Sequence, residues 1–166
     1  MSVFSFYIFD RHTECIYSKR FAASNNAPPP RGAAGGGIQN GDVPASLRKA
    51  SKDLDETKLI FGTIFSLRRM ARQLGGADDQ FLSYRTGEYK LHYFETPTQL
   101  KLVMLTSPNV GNMRTVLHQI WATLFVEYVV KSPLAPAEHT GGKGVANELF
   151  EGGLERFMEA VFRPQQ

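Results

Sequence analysis

Two strand patterns lead directly into a long apolar helix between residues 89 and 133. The strands are predicted at Tyr89–Thr96 and Leu100–Thr106, and the helix at Asn112–Lys131. Because nearly every position in the middle of that helix is apolar, the helix is stable only if it is buried. The order predicts two antiparallel strands that feed a buried helix, which is typical of a scaffold rather than of a catalytic centre.

The N-terminal residues predict a central strand followed by an edge strand. Val3–Phe9 is apolar at odd and even positions alike, as expected for a strand that is covered on both faces of a sheet. Cys15–Phe21 carries Ser18 and Arg20 on one face, which suits the edge of a sheet. The polar segment Asp10–Glu14 between these strands predicts a hairpin.

The first helix is predicted at Lys58–Leu74, with Asp55 or Thr57 as its N-cap and Gly75 at its end. At about 3.6 residues per turn, one face of this helix is apolar. That face consists of Ile60, Ile64, Leu67, Ala71 and Leu74.

Further aromatic side chains flank this face, so the apolar arc is wider than one sheet can bury. Phe61 and Phe65 lie on one flank, next to Arg68 and Arg72. A helix that lies on a single sheet needs an apolar stripe of only about 100°, and aromatic residues and arginine are enriched at protein interfaces. We predict that these four residues bind a partner chain; the alternative is an ordinary solvated arginine face.

The remaining elements complete the sheet and add two helices. Phe81–Thr86 is predicted to pair with the strand that follows it, through a turn at Gly87. The last helix is predicted at Val145–Phe162. Val126 and Val130 lie on the side of the second helix that faces away from the sheet, and we add both to the predicted partner interface. The face of the second helix that is predicted to lie on the sheet consists of Val116, Leu117, Ile120, Trp121, Leu124, Phe125 and Tyr128.

The predicted order is ββαβββαα, an α+β class within the broad α/β group. We expect one five-stranded antiparallel sheet with one helix on one face and two on the other, in a single domain spanning residues 1–166. Residues 22–52 are rich in Pro and Gly and are predicted to be a low-complexity surface insertion between the second strand and the first helix, with room for a short helical piece near Pro44–Lys52.

Composition limits the possible functions. A formal charge of +3 over 166 residues is too small to indicate nucleic-acid binding, which requires a clustered basic face. The single cysteine, Cys15, cannot form an internal disulfide and is interpreted as a buried, inert thiol. The longest apolar run, Ile120–Val130, is too short to span a bilayer. We therefore expect an intracellular, soluble protein.

Candidate catalytic chemistry is sparse. The loop His139–Gly144 suggests a phosphate-binding loop, but Ala137 and Gly144 stand where that motif requires Gly and Ser or Thr. No pair of histidines has the spacing of metal ligands, and His118 is interpreted as a structural histidine. We predict no catalytic, cofactor-binding or metal-binding residue, and no cofactor.

Several segments together resemble one family, the smallest sedlin-type, longin-like subunit (subunit-one type) of the TRAPP (transport protein particle) complex. The segments that carry the resemblance are Tyr7–Arg11, Lys58–Arg68, Tyr89–Thr98, Val116–Trp121 and Val129–Leu134. The similarity covers residues 1–21 and about 58–162, and residues 22–52 depart from the short animal pattern.

The resemblance implies a longin-like (profilin-like) fold and a non-enzymatic role. It implies a cytoplasmic subunit, peripheral at the cis-Golgi and endoplasmic reticulum, whose membrane association arises only through the complex. The implied partners are a second longin-like subunit, the palmitoylated core subunit and, through the assembled complex, a Rab GTPase of early secretion. The implied activity is guanine-nucleotide exchange by a composite surface during ER-to-Golgi vesicle transport.

Two alternatives remain at this point. One is a longin-type adaptor or assembly module of another trafficking complex. The other is a stand-alone small nucleotide-binding enzyme that uses the loop from His139 to Lys143.

Overall fold

Five strands form one antiparallel sheet in the computed structural model, which describes residues 2–21, 45–76 and 80–162 and the side chains of all of these except residues 45–52. The sheet and the C-terminal helices belong to one compact unit, residues 1–27 with 82–166. The first helix belongs to a second unit, residues 28–81. The ββαβββαα order, the antiparallel sheet and the α+β class are confirmed, whereas the predicted single domain and the predicted insertion stay predictions.

The strand order is β2-β1-β5-β4-β3. The strands are β1 at Val3–Phe9, β2 at Cys15–Arg20, β3 at Ser83–Arg85, β4 at Lys90–Glu95 and β5 at Lys101–Thr106. The two strands that are apolar at both parities, β1 and β5, are neighbours in the middle of the sheet, and the more polar β2 lies at an edge. The sequence prediction of central and edge strands is therefore confirmed.

One face of the sheet carries the main core. Phe6 of β1 lies opposite Met104 of β5, and Leu102 lies between Ile8 on one side and Phe94 on the other. The helices that cover this face contribute Leu117, Ile120, Leu124, Phe125, Val129, Phe150, Leu154 and Met158. Two helices therefore pack on one face, as predicted.

The opposite face of the sheet is also buried. Because side chains alternate along a strand, the odd-numbered residues of β4, of β5 and of β1 from Ser5 onward point away from the main core. Those that are buried include Tyr7, Phe9, Leu91, Tyr93 and Val103. Val3 lies in the main core instead, because the register of β1 shifts between Val3 and Ser5. That the first helix covers this face stays a prediction.

The first helix, α1, runs from Ala45 to Gly75, so the predicted start at Lys58 and the predicted caps were wrong. The chain contains no Gly or Pro between Ala45 and Phe61 and is rich in strong helix formers there, so nothing interrupts the helix. The hydroxyl of Thr57 donates to the carbonyl oxygen of Asp53 at 2.8 Å inside the helix instead of capping it. The predicted insertion therefore overlaps α1 from Ala45, and residues 22–44 lie outside the described residues.

The end of α1 agrees with the prediction. The helix ends at Gly75, and Gly76 adopts φ +104°, a conformation that Gly accepts without strain. The N–H of Gly76 donates to the carbonyl oxygen of Arg72 at 3.0 Å, so one of the last carbonyls is satisfied.

The second helix changes type along its length. Helix α2, Arg114–Gln119, continues as a π-helix from Ile120 to Val130, and at its end the N–H of Lys131 donates to the carbonyl oxygen of Val126, five residues back. Its buried residues are Ile120, Leu124, Phe125 and Val129, which follow a spacing of four and five. In this wider helix Val129 enters the core, while Tyr128, predicted to face the sheet, is 36% exposed. The prediction for Tyr128 was wrong because it assumed the period of an α-helix.

The last helix, α3, runs from Glu148 to Phe162. Asn147 caps it, since its side-chain oxygen accepts from the N–H of Phe150 at 2.8 Å. The amide nitrogen of the same side chain donates to the carbonyl oxygen of Tyr128 at 2.9 Å. Asn147 therefore connects the end of the π-helix to the start of α3.

Candidate partner-binding surface

The apolar side chains of α1 divide into buried and exposed groups. Ile60 and Ile64 are 5% and 2% exposed, whereas Phe65 is 56% exposed. Leu74, which the sequence placed on the buried face, is 83% exposed, so that part of the prediction was wrong. The buried stripe is thus shorter than the apolar pattern, and the last turn of α1 is exposed to solvent.

Two aromatic rings adjoin on the flank of this helix. Phe61 is half-buried and stacks on Phe65, with ring centroids 6.3 Å apart and an interplanar angle of 27°. Their spacing of four residues places them one above the other on a helix. The sequence predicted both residues as interface residues, and the structure places them side by side.

Arginines extend the same flank towards the end of α1. Arg68 and Arg72, both predicted, line a surface cavity of about 410 Å³ together with Phe65, Arg69 and Gln73. The sequence prediction omitted Arg69 and Gln73. Their positions four and eight residues after Phe65 could have identified them, because such residues lie on one side of a helix.

The other two predicted interface residues lie on the π-helix, in the unit that contains the sheet. Val126 is half-buried and Val130 is 58% exposed. The exposure of Val130 is compatible with contact to a partner, and the role of both residues stays a prediction.

His92 belongs to the core. It is 1% exposed, and its Nε2 lies 3.0 Å from the Thr106 hydroxyl oxygen. Its Nδ1 finds no partner among the described residues. Burial, with a smaller contribution from the positive charge of Lys90, lowers the pKa of His92 to about 4. A neutral, buried imidazole beside a threonine on neighbouring strands has a structural role.

His118, which was interpreted as a structural histidine, is exposed. It lies edge-on to Phe94 and Trp121, with ring centroids 5.5 and 5.6 Å away. His118 therefore lies on the exposed side of α2 and contacts the ring of Phe94 near the end of β4.

The loop that resembled a phosphate-binding motif is used structurally. It forms a 3-10 turn at Thr140–Gly142 between two helices, and a Cβ on Gly142 would lie 2.5 Å from the carbonyl oxygen of Ile16 in β2. Nδ1 of His139 lies 2.9 Å from the carbonyl oxygen of Lys143, which closes the loop on itself. A side chain at position 142 would prevent the loop from approaching the edge strand this closely. Packing against β2 therefore explains the glycine at this position, and no bound ligand has to be invoked.

The remaining chemistry within the described residues is limited. Burial raises the pKa of the Cys15 thiol to about 11, so the thiol stays protonated and unreactive at neutral pH. Across residues 2–21, 45–76 and 80–162, no group of three His, Cys, Asp or Glu side chains could hold a metal ion. Over the same ranges, no helix has the length and apolar character required to cross a membrane.

Comparison with known proteins identifies the family. Residues 3–161 match the Sybindin-like family. The chain is 37% identical to transport protein particle subunit bet5 of Schizosaccharomyces pombe, over 97% of this chain and 98% of that protein. It is 35% identical to trafficking protein particle complex subunit 1 of Rattus norvegicus, over 97% and 94%, and 28% identical to trafficking protein particle complex subunit BET5 of Saccharomyces cerevisiae, over 95% and 96%. The chain belongs to the Sybindin-like family.

Proposed function

We propose that this protein is a non-catalytic core subunit of the TRAPP complex. The observation that carries the proposal is the match to relatives named as subunits of that particle, which extends over 95–97% of the chain in the three comparisons above. The structural use of the loop from His139 to Gly144 supports the same choice over a nucleotide-binding enzyme.

Within the complex, we propose that the chain contributes surface to a composite site for guanine-nucleotide exchange on an early-secretory Rab GTPase. Exchange requires preferential binding of the nucleotide-free state and no proton transfer, so a protein without catalytic residues can take part in it. The partners are a second longin-like subunit and the palmitoylated core subunit, and the location is the cytoplasmic surface of the cis-Golgi and endoplasmic reticulum. These finer assignments rest on the family resemblance.

The proposed contacts with partner subunits are made by Phe61, Phe65, Arg68 and Arg72 of α1, together with the exposed side of the π-helix at Val126 and Val130. Phe65 supports this proposal most directly, because a phenylalanine that is 56% exposed next to arginines is typical of a binding surface. The stacked Phe61 holds the Phe65 ring in place on the helix.

Co-expression with TRAPP subunits tests the proposal. The wild-type chain should co-purify with them as a stoichiometric complex, and the double variant Phe65→Asp, Arg68→Glu should be lost from it. The matched control is Leu149→Asp, Arg156→Glu on α3, which changes an apolar residue that is 69% exposed, somewhat more than Phe65, and an exposed arginine. A wild-type chain that assembles with no TRAPP subunit would contradict the function, and an α1 variant that assembles normally would contradict the assigned surface.

Nucleotide release tests the composite site. The isolated chain should leave the rate of nucleotide release from the Rab GTPase unchanged, and the assembled complex should accelerate it. Acceleration by the isolated chain would show that the exchange site is not composite.

A further inference from the structure

We propose that the surface of α1 formed by Phe61, Phe65, Arg68, Arg69 and Arg72, here called the arginine–phenylalanine surface, binds an acidic segment of a partner protein. In this arrangement carboxylates of the partner pair with the arginines, and an apolar side chain of the partner enters the cavity beside Phe65. The inference rests on the proposed function, because it specifies the chemistry of the partner that α1 contacts.

The part of α1 from residue 57 to its end carries positive charge only. Residues 57–75 contain four cationic residues and no Asp or Glu. The four are Lys58, Arg68, Arg69 and Arg72. Over this stretch the helix therefore has no carboxylate of its own to pair with its arginines at the favourable spacing of three or four residues.

Arg69 and Arg72 are exposed, and the guanidinium group of neither has a hydrogen bond or ion pair with a described residue. Arg68 and Arg72 stand four residues apart, a spacing at which like charges destabilise a helix. An acidic partner would remove that repulsion and add charge-assisted hydrogen bonds. Guanidinium groups bind carboxylates with two parallel hydrogen bonds, which gives geometric selectivity as well as attraction.

The apolar part of the surface is not separated from the charged part. Phe65 lines the same cavity of about 410 Å³ as the three arginines. A helix that lies on a membrane segregates its apolar face from its basic face, so that the apolar face enters the lipid. Here an aromatic ring stands among guanidinium groups, which favours a folded protein segment over a lipid surface. Aromatic residues and arginine are also the residue types that are enriched at protein interfaces.

The test uses the full chain and two synthetic helical peptides of about four turns each, since shorter isolated helices are marginal in water. One peptide carries Glu on one face with a single Phe among them, and the other carries Lys in place of each Glu. Binding is measured by fluorescence anisotropy at low and high salt. Vesicles containing phosphatidylserine serve as the competing anionic probe.

We expect the acidic peptide to bind, the basic peptide not to bind, and the affinity to fall as salt rises. Arg72→Glu should weaken binding by about tenfold or more, since a hydrogen-bonded charge pair is lost and replaced by repulsion. The matched control Arg156→Glu on α3 should bind as the wild type does, and Phe65→Ala should weaken binding without changing its salt dependence. Circular dichroism and thermal unfolding of each variant show that it is folded.

Equal binding of the two peptides, no binding of the acidic peptide, or binding of vesicles in preference to it would overturn the inference. The outcome is separable from that of the proposed function. A chain that assembles with TRAPP subunits but does not bind the acidic peptide refutes this inference alone. A chain that binds the acidic peptide at Arg72 but assembles with no TRAPP subunit refutes the proposed function and leaves the chemistry of the surface in place.

Discussion

Helices α1 and α3 use similar apolar residues for different purposes. In α3, Phe150 and Leu154 are fully buried, and the helix packs against the π-helix closely enough that Gly153 lies beside Leu124. In α1, the two buried isoleucines are followed by Phe65, which is 56% exposed. An apolar pattern therefore indicates that a surface will be covered, but the pattern alone does not show whether the cover belongs to the same chain.

Phe150 in α3 and Phe65 in α1 should contribute very differently to stability. Phe150→Ala should lower the free energy of unfolding by about 3–5 kcal/mol, because it opens a cavity in the core. Phe65→Ala should change it by no more than about 0.5 kcal/mol, since the side chain is largely in solvent. Urea denaturation of the isolated chain measures both. Similar losses for the two variants would show that Phe65 is a core residue and would remove the main support for the α1 surface.

Much of the sheet could be predicted from sequence, because burial on one or both faces leaves a direct pattern along a strand. The two-sided apolar pattern of Val3–Phe9 gave the bounds of β1 and its central position. The short β3, Ser83–Arg85, was predicted too long because all its residues are exposed, so no burial pattern marks its ends.

The helices were less predictable, for two physical reasons. The first turns of α1 follow a segment rich in Pro and Gly and were assigned to that insertion, with only a short helical piece near Pro44–Lys52, whereas the structure has one continuous helix from Ala45. The π-helix follows i→i+5 hydrogen bonds, which a search at the α-helical period cannot detect. The predicted interface residues of α1 depend only on the local spacing of Phe61, Phe65, Arg68 and Arg72, which is insensitive to where α1 begins. Their role in binding stays a prediction.

His92 lies in the core, whereas His118 is exposed. The burial of His92 predicts how the stability of the protein depends on pH. The pKa of His92 is lowered from 6.5 to about 4 in the folded protein. Between these values the unfolded chain binds a proton that the folded protein does not, so stability should fall as the pH is lowered from about 6.5 to 4. The loss from this one residue should approach about 3 kcal/mol, since each pKa unit corresponds to about 1.4 kcal/mol.

Urea denaturation at several pH values from about 7 to 4 measures this dependence. His92→Gln should flatten the pH profile, because glutamine does not titrate. An unchanged profile in His92→Gln would assign the acid sensitivity to other groups.

A smaller change in the free energy of unfolding is expected from substitutions at two adjacent glycines in α3. A Cβ on Gly152 would have no neighbour within 4 Å, whereas a Cβ on Gly153 would lie 3.0 Å from Cδ2 of Leu124 in the π-helix. Gly152→Ala should therefore stabilise the protein by about 1 kcal/mol, through the higher helix propensity of Ala. Gly153→Ala has the same gain in propensity, but Leu124 must move, so its net stabilisation should be smaller or absent.

Thermal unfolding of the two variants resolves this difference, since about 1 kcal/mol corresponds to a shift of about 2–4 °C in Tm for a domain of this size. The double change Gly153→Ala, Leu124→Ala is the control, because shortening Leu124 removes the contact that opposes the new methyl group. In that background the Gly153→Ala step should recover the stabilisation seen at Gly152. Equal stabilisation by the two single variants would mean that α3 and the π-helix adjust to an added methyl group, and the close packing that distinguishes α3 from α1 would then be looser than their burial indicates.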